Sequence, residues 1–120
     1  MKILFWGVRG SFPVAEAHAV GYGGNTPCLE VEVAGRTILI DAGTGIRGAG
    51  QALADRGVEQ VDLLLSHPHW DHIQGFPYLP QLDQEGGSVR VHSLRHPNQT
   101  LNEIFVGQQQ PPFSSRSLKD

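Results

Sequence analysis

Ser66-His67-Pro68-His69-Trp70-Asp71-His72 follows directly on the apolar run Val61-Asp62-Leu63-Leu64-Leu65 and sets four candidate metal ligands within six residues. In an extended segment, residues two apart project to the same side, so His67 and His69 can face one ion. Asp71 and His72 are adjacent, and their diverging side chains suit a second, neighbouring ion. Neutral imidazole and carboxylate are ligands for zinc, manganese or iron, and no thiolate stands near the cluster, which favours an open catalytic site over a closed structural zinc. Two ions that share a water lower its pKa and stabilise both oxygens of a hydrolytic displacement, so hydrolysis is the chemistry this arrangement suits best. A single histidine is ordinarily an exposed loop residue. Four ligand types at this spacing, directly after a strand, point instead to metal.

The strand that delivers the cluster belongs to a chain of 120 residues, enough for one domain or part of one. A hydrophobic fraction of 39% and a charged fraction of 18% are those of a soluble globular protein, and 15 glycines and 8 prolines predict many turns. A net charge of −3 and a pI near 6.0 supply no strong basic field, so charge neither requires nor excludes an RNA substrate. The apolar run in Met1-Lys2-Ile3-Leu4-Phe5-Trp6-Gly7 is too short for a secretory core, and no later stretch approaches membrane-spanning length. The expectation is a cytoplasmic protein with no membrane partner. The single cysteine, Cys28, forms no internal disulfide, in keeping with a reducing compartment, and reads as a small buried residue in a strand.

Lys2 to Trp6 predicts a buried first strand, turned away by Gly7-Val8-Arg9-Gly10-Ser11-Phe12-Pro13. A long irregular loop runs through His18 to Gly21-Tyr22-Gly23-Gly24-Asn25-Thr26-Pro27; its glycines lack the Lys-Ser/Thr ending of a phosphate-binding loop and read as turn geometry. Cys28 to Val33 alternates apolar with acidic residues as a half-exposed strand does, and Ala34-Gly35-Arg36 turns it into Thr37 to Asp41 as a hairpin. Ala42-Gly43-Thr44-Gly45 leads into a helix with Ile46, Ala49, Leu53 and Ala54 on one face and Gly57 as its stop. Beyond the histidine cluster, Ile73 to Pro80 predicts a short, proline-interrupted helix and loop. Asp83 to Gly87 reads as a polar turn and Ser88 to Leu94 as a strand. Thr100-Leu101-Asn102-Glu103 has capping-box spacing for a helix carrying Leu101, Ile104 and Phe105. The tail from Gln108 to Asp120 offers little core-forming material.

His67-Pro68-His69-Trp70-Asp71-His72 resembles the His-x-His-x-Asp-His signature of the metallo-beta-lactamase superfamily. The Gly7-to-Pro13 turn, Tyr22-Gly23-Gly24-Asn25-Thr26, Ile40-Asp41-Ala42-Gly43-Thr44-Gly45 and Gly75-Phe76-Pro77 resemble its branch containing ribonuclease Z and related phosphodiesterases. The resemblance implies an α/β (α+β) fold, the αββα sandwich, with two divalent metal ions at one edge of the sheets, zinc first and manganese or iron as alternatives. It assigns His67 and His69 to the first ion and Asp71 and His72 to the second, with Asp71 also orienting the attacking water. Asp41, at a strand end before a glycine-rich turn, would hydrogen-bond a ligand imidazole and fix its tautomer, or else serve a turn or a helix cap. Trp70 is a packing residue or a lip for substrate, with packing favoured. The implied substrate is a phosphodiester of a nucleotide, cyclic nucleotide or RNA end; thioester, lactone or β-lactam hydrolysis is the rival within the same superfamily.

The family completes its site with a further histidine, a bridging aspartate and a last histidine from later in the chain. His92, within a predicted strand, and His96, before Pro97, stand in neither context and read as strand surface and loop; of the downstream aspartates only Asp120 offers itself as a bridge. The strands, too, supply little more than one half of a sandwich. Residues 1–120 therefore read as the N-terminal part of a single metallo-beta-lactamase-like domain. Either the hydrolase is incompletely represented or a homo-oligomer covers the exposed sheet. A reading from a different class is a metal-binding or assembly module that does no chemistry because its ligand set is incomplete.

Overall fold

In the computed structural model, which describes residues 1–116 and 118, five strands form one mixed sheet. They are β1 (Lys2–Gly7), β2 (Cys28–Val33), β3 (Arg36–Ile40), β4 (Gln60–Leu65) and β5 (Ser88–Ser93), in the order β1-β2-β3-β4-β5. The first three are antiparallel neighbours, whereas β3, β4 and β5 run parallel. The β2–β3 hairpin closes through Ala34 and Gly35 at φ of 49° and 72°, the left-handed pair that a tight two-residue turn demands. Parallel neighbours need crossovers. The first is α1 (Ile46–Asp55); the second is α2 (Trp70–Ile73) with two single-turn 3₁₀ helices, Phe76–Tyr78 and Pro80–Leu82. α3 (Leu101–Gln108) follows β5, and its predicted capping box is present: the Thr100 hydroxyl accepts from the Glu103 N–H at 3.2 Å, and the Thr100 N–H donates back to the Glu103 carboxylate at 2.7 Å.

The helices cover one face of the sheet. Leu39 and Leu63 from the strands, Ile46 and Leu53 from α1, and Leu79 after the first 3₁₀ turn are all fully buried in a single core, and the Phe76 and Phe105 rings meet there at 4.2 Å. α1 buries Ile46, Ala49, Gly50 and Leu53. The predicted Ala54 is only half-buried, because the helix turns Gly50 to the interior, where a Cβ would fall 2.6 Å from the Leu79 and Pro80 side chains. The tail contributes more than its composition suggests: Gln109 is buried and Leu118 packs against the core, while Asp120 lies outside the described residues. Among the described residues no helix is long and apolar enough to cross a membrane.

Two expectations are corrected. β1 is an edge strand and not a buried one: Ile3 is 47% and Phe5 71% exposed, because only the side carrying Trp6 is covered, by α1. In β2 the alternation runs opposite to the usual sense. Glu30 is fully buried on the helix-covered side with Cys28, while Leu29 and Val31 face the other side. The inward carboxylate persists because it is paired: the Trp6 Nε1–H donates to it at 2.8 Å, and the Arg56 guanidinium, just past α1, pairs with Glu30 and reaches Glu32 at 2.7 Å. The uncovered face carries an apolar row in register across the sheet, Phe5, Leu29, Ile40 and Leu64, ending at His92. A helix layer over one face of a sheet whose other face is apolar is one half of an αββα arrangement.

Removing Arg56 leaves Glu30 buried with one neutral donor. Arg56→Met is expected to cost about 3 kcal/mol in urea unfolding, while Arg36→Met, whose partner Asp62 lies at the surface, is close to neutral; equal effects would show that the Glu30 pair does not anchor β2 to α1. Burial first, and then the nearby Asp41 and Glu30 carboxylates, push the Cys28 thiol up to about 12. Iodoacetamide at pH 8 should therefore modify it no faster than the chain unfolds, as read by mass spectrometry across a urea series.

Candidate metal centre

Because β3 and β4 are parallel, their carboxyl ends lie side by side, and the chain leaves them through Asp41 and Ser66. The Asp41 N–H donates to the Leu64 carbonyl at 2.9 Å, and the residue sits at φ 63°, a left-handed conformation uncommon for a side chain with a Cβ. Its buried carboxylate accepts the Ser66 N–H at 2.8 Å and the Ser66 hydroxyl at 2.8 Å. His72 Nδ1 lies 2.8 Å from Asp41 Oδ2, and Ser66 Oγ lies 3.0 Å from His67 Nδ1. Donor accounting assigns the protons. Ser66 has one hydroxyl hydrogen and gives it to Asp41, so its lone pair accepts from His67 Nδ1–H, while Asp41 itself accepts from His72 Nδ1–H. Both imidazoles are thereby held as Nδ1–H tautomers, which leaves each Nε2 with a free lone pair.

α2 is clamped onto the turn that follows β3. The Ala42 N–H donates to the His72 carbonyl at 2.8 Å and the Gly75 N–H to the Ala42 carbonyl at 2.9 Å. That approach is open only to glycine at position 43, where a Cβ would fall 2.5 Å from the Asp71 carbonyl oxygen and from the Thr26 hydroxyl. Thr26 and Thr44 lock the same turn from the other side, each backbone N–H donating to the other's hydroxyl at 2.8 Å and 2.7 Å.

The histidine rings gather around His67. Its centroid lies 4.4 Å from that of His69 and 4.1 Å from that of His72. Asp71 Oδ2 stands 3.5 Å from His72 Nε2 and accepts the Ser11 N–H at 2.7 Å. Ser11 holds a left-handed φ of 69° to make that bond. Its N–H keeps the Asp71 carboxyl below the usual carboxylate range against the opposing effect of burial. The four side chains from the signature thus meet in one place, together with Asp41. His92 is engaged elsewhere, with Asp62 at 3.0 Å, and His96 stands in the loop after β5. Trp70 does not pack: α2 turns Asp71 and Ile73 inward and leaves the indole 57% exposed. Two residues escaped the sequence reading. Ser66 signalled itself only by its place beside His67, and Ser11 acts through a backbone group that carries no signal.

Three imidazoles and a carboxylate, with Nδ1 of His67 and of His72 already engaged by Ser66 and Asp41, have the donor chemistry of a divalent transition-metal site. The set is partial. Among the described residues no group of three or more His, Cys, Asp or Glu side chains is disposed to hold a metal ion by itself.

The model of the metallo-beta-lactamase superfamily matches residues 21–113. Ribonuclease Z of Bradyrhizobium diazoefficiens is 40% identical over 83 residues, covering 64% of this chain and 23% of that protein. Ribonuclease Z of Alkaliphilus oremlandii is 25% identical over 126 residues, covering 100% of this chain and 37% of that protein. The chain thus spans well under half the length of these curated relatives. A crystal structure of a diphosphatase from the PhnP family superimposes with a TM-score of 0.55 at 17% identity, over 78% of this chain and 51% of that one, a likeness of fold.

Ser66→Ala removes the hydroxyl that bridges Asp41 to His67 and leaves the His72–Asp41 bond in place. Zinc affinity is expected to fall about 10- to 100-fold, measured against a competing chelator. Without metal, imidazole ¹⁵N shifts should show mixed tautomers for His67 alone; unchanged shifts there would mean that Ser66 does not set the proton.

Proposed function

The chain belongs to the metallo-beta-lactamase superfamily, and we propose that it forms the N-terminal part of a single-domain, metal-dependent hydrolase that cleaves phosphodiesters. One observation carries the reading: the Asp41–Ser66 pair engages Nδ1 of both His67 and His72, and His72 Nε2 then lies 3.5 Å from the Asp71 carboxylate. In this assignment His67 and His69 hold one divalent ion and Asp71 and His72 a second, with zinc as the first candidate and manganese or iron as alternatives. Such ions, when bound, acidify water and offset the charge that builds on a phosphoryl group.

The chain's own residues do the positioning. Phosphodiester hydrolysis breaks one P–O bond, forms another from water and delivers a proton to the leaving oxygen. In this assignment Asp71, held by the Ser11 N–H with its pKa lowered by that bond, orients the water. Asp41 keeps the ligand imidazoles in one tautomer, so the site does not spend binding energy on ordering them. The substrate class, a nucleotide, cyclic nucleotide or RNA end, is supported by relatives that carry the name ribonuclease Z. The apolar row across the open sheet face supports a second sheet as its cover, and the single buried thiol suits a cytoplasmic setting.

A second reading applies to the 120 residues by themselves. They bring two ligands to each ion and no set of three among the described residues, which favours a metal-binding unit without turnover.

Two measurements separate these readings. The protein, loaded with zinc or manganese, is expected to hydrolyse bis(p-nitrophenyl) phosphate in preference to thioester, lactone and β-lactam probes, with activity falling to background in His69→Ala; no metal-dependent turnover of the diester would overturn the hydrolase assignment. Calorimetric titration of the 120-residue chain should then show weak binding; two tightly held ions would contradict the incomplete ligand set.

A further inference from the structure

Beside the histidine cluster a cleft of about 530 Å³ runs between the β4–α2 connection and the β5–α3 connection. It lies outside the carboxyl ends of the parallel pair β4 and β5, where Leu65 stands opposite Ser93. Its size falls within the range of about 300–1,000 Å³ typical of small-molecule sites. Leu65, Leu101 and Ile104, all buried or half-buried, give it an apolar base, and His67 forms part of its wall. Whatever occupies the cleft therefore abuts a candidate metal ligand.

The cleft carries one carboxylate and one guanidinium. Glu103 is fixed at its margin by the α3 cap, where Thr100 donates to it through both its N–H at 2.7 Å and its hydroxyl at 2.9 Å, and it keeps its negative charge. Arg95, like Arg9 and Arg47, has no carboxylate partner among the described residues, whereas Arg36, Arg56, Arg90 and Arg116 are each ion-paired. An exposed, unpaired arginine thus lines the same cleft as the apolar base, with the Asn98 side chain offering both a donor and an acceptor. A guanidinium matches a pair of phosphate oxygens in geometry and is opposite to them in charge, and an apolar base with an amide at its margin matches a planar heterocycle.

We propose that this cleft holds a nucleoside monophosphate moiety of the substrate, its base over Leu65, Leu101 and Ile104 and its phosphate drawn by Arg95, on the side of the centre marked by His67. The assignment rests on the phosphodiesterase reading. It adds a residue, Arg95, that selects nucleotides over simple phosphate esters without touching the metal ligands.

The test is binding of adenosine 5′-monophosphate, adenosine and inorganic phosphate to the chain, followed by backbone amide shifts and calorimetry. Adenosine 5′-monophosphate should shift the amides of residues 94–101 and bind more tightly than either component. Arg95→Ala should weaken it about tenfold while leaving adenosine unchanged, a loss of the size expected for one charge-assisted hydrogen bond. Arg95→Gln, which keeps the length of the side chain without its charge, should behave as Arg95→Ala does. Equal affinities for the nucleotide and inorganic phosphate, or shifts confined to residues 66–72, would overturn the proposal, and so would an unchanged affinity in both variants. Nucleotide binding in the cleft without diester hydrolysis by the metal-loaded protein would remove the hydrolase reading and leave the cleft. Hydrolysis with an unaltered KM for nucleotide diesters in Arg95→Ala would do the reverse.

Discussion

The buried carboxylate of Asp41 is the constraint on which the site depends. It stands at the end of β3, takes three donors from residues that follow β4, and so converts a pairing of two parallel strands into a fixed position for His67 and His72. A carboxylate removed from water must be fully hydrogen-bonded to persist, and here its donors are the groups that need orienting. Its left-handed backbone is tolerated because the surrounding hydrogen bonds determine the turn.

The same logic of satisfied burial organises the opposite end of the helix layer. Glu30 points into the core and is met by Trp6 from β1 and Arg56 from the end of α1, so one carboxylate ties an edge strand, its neighbour and the first crossover helix together. Two inward acids, one structural and one beside the candidate centre, flank Cys28 and account for part of the upward displacement of its thiol. The helix-covered face is thereby closed, while the other face keeps its apolar row of Phe5, Leu29, Ile40 and Leu64. That asymmetry is what one layer pair of a four-layer sandwich looks like.

Much of the fold was legible because its signals are local. The β2–β3 hairpin, the amphipathic spacing of α1, the capping box at Thr100 and the strand before the histidines each follow from residues within a few positions of one another. The failures share a cause. β1 looked buried from its composition, but whether a strand is central or at an edge depends on what pairs with it. β2 looked like a strand with its acids in water, but its facing is set by register and by the distant Trp6 and Arg56. Trp70 is as apolar as a core residue and stands outside because the short α2 turns Asp71 and Ile73 inward in its place.

By itself the sequence determined that the candidate ligands stand together: His67, His69, Asp71 and His72 lie so close along the chain that almost any backbone following β4 would bring them near one another. Only the tertiary structure decided their protons and their company. The Nδ1–H tautomers depend on Asp41, 31 residues from His72, and the lowered pKa of Asp71 on a backbone N–H of Ser11, 60 residues away. The cleft beside His67 exists because β5 pairs in parallel with β4 and sends its following loop to the same edge. Proximity along the chain is written in residue order, whereas hydrogen bonds between distant segments depend on strand register and crossovers that no single segment specifies.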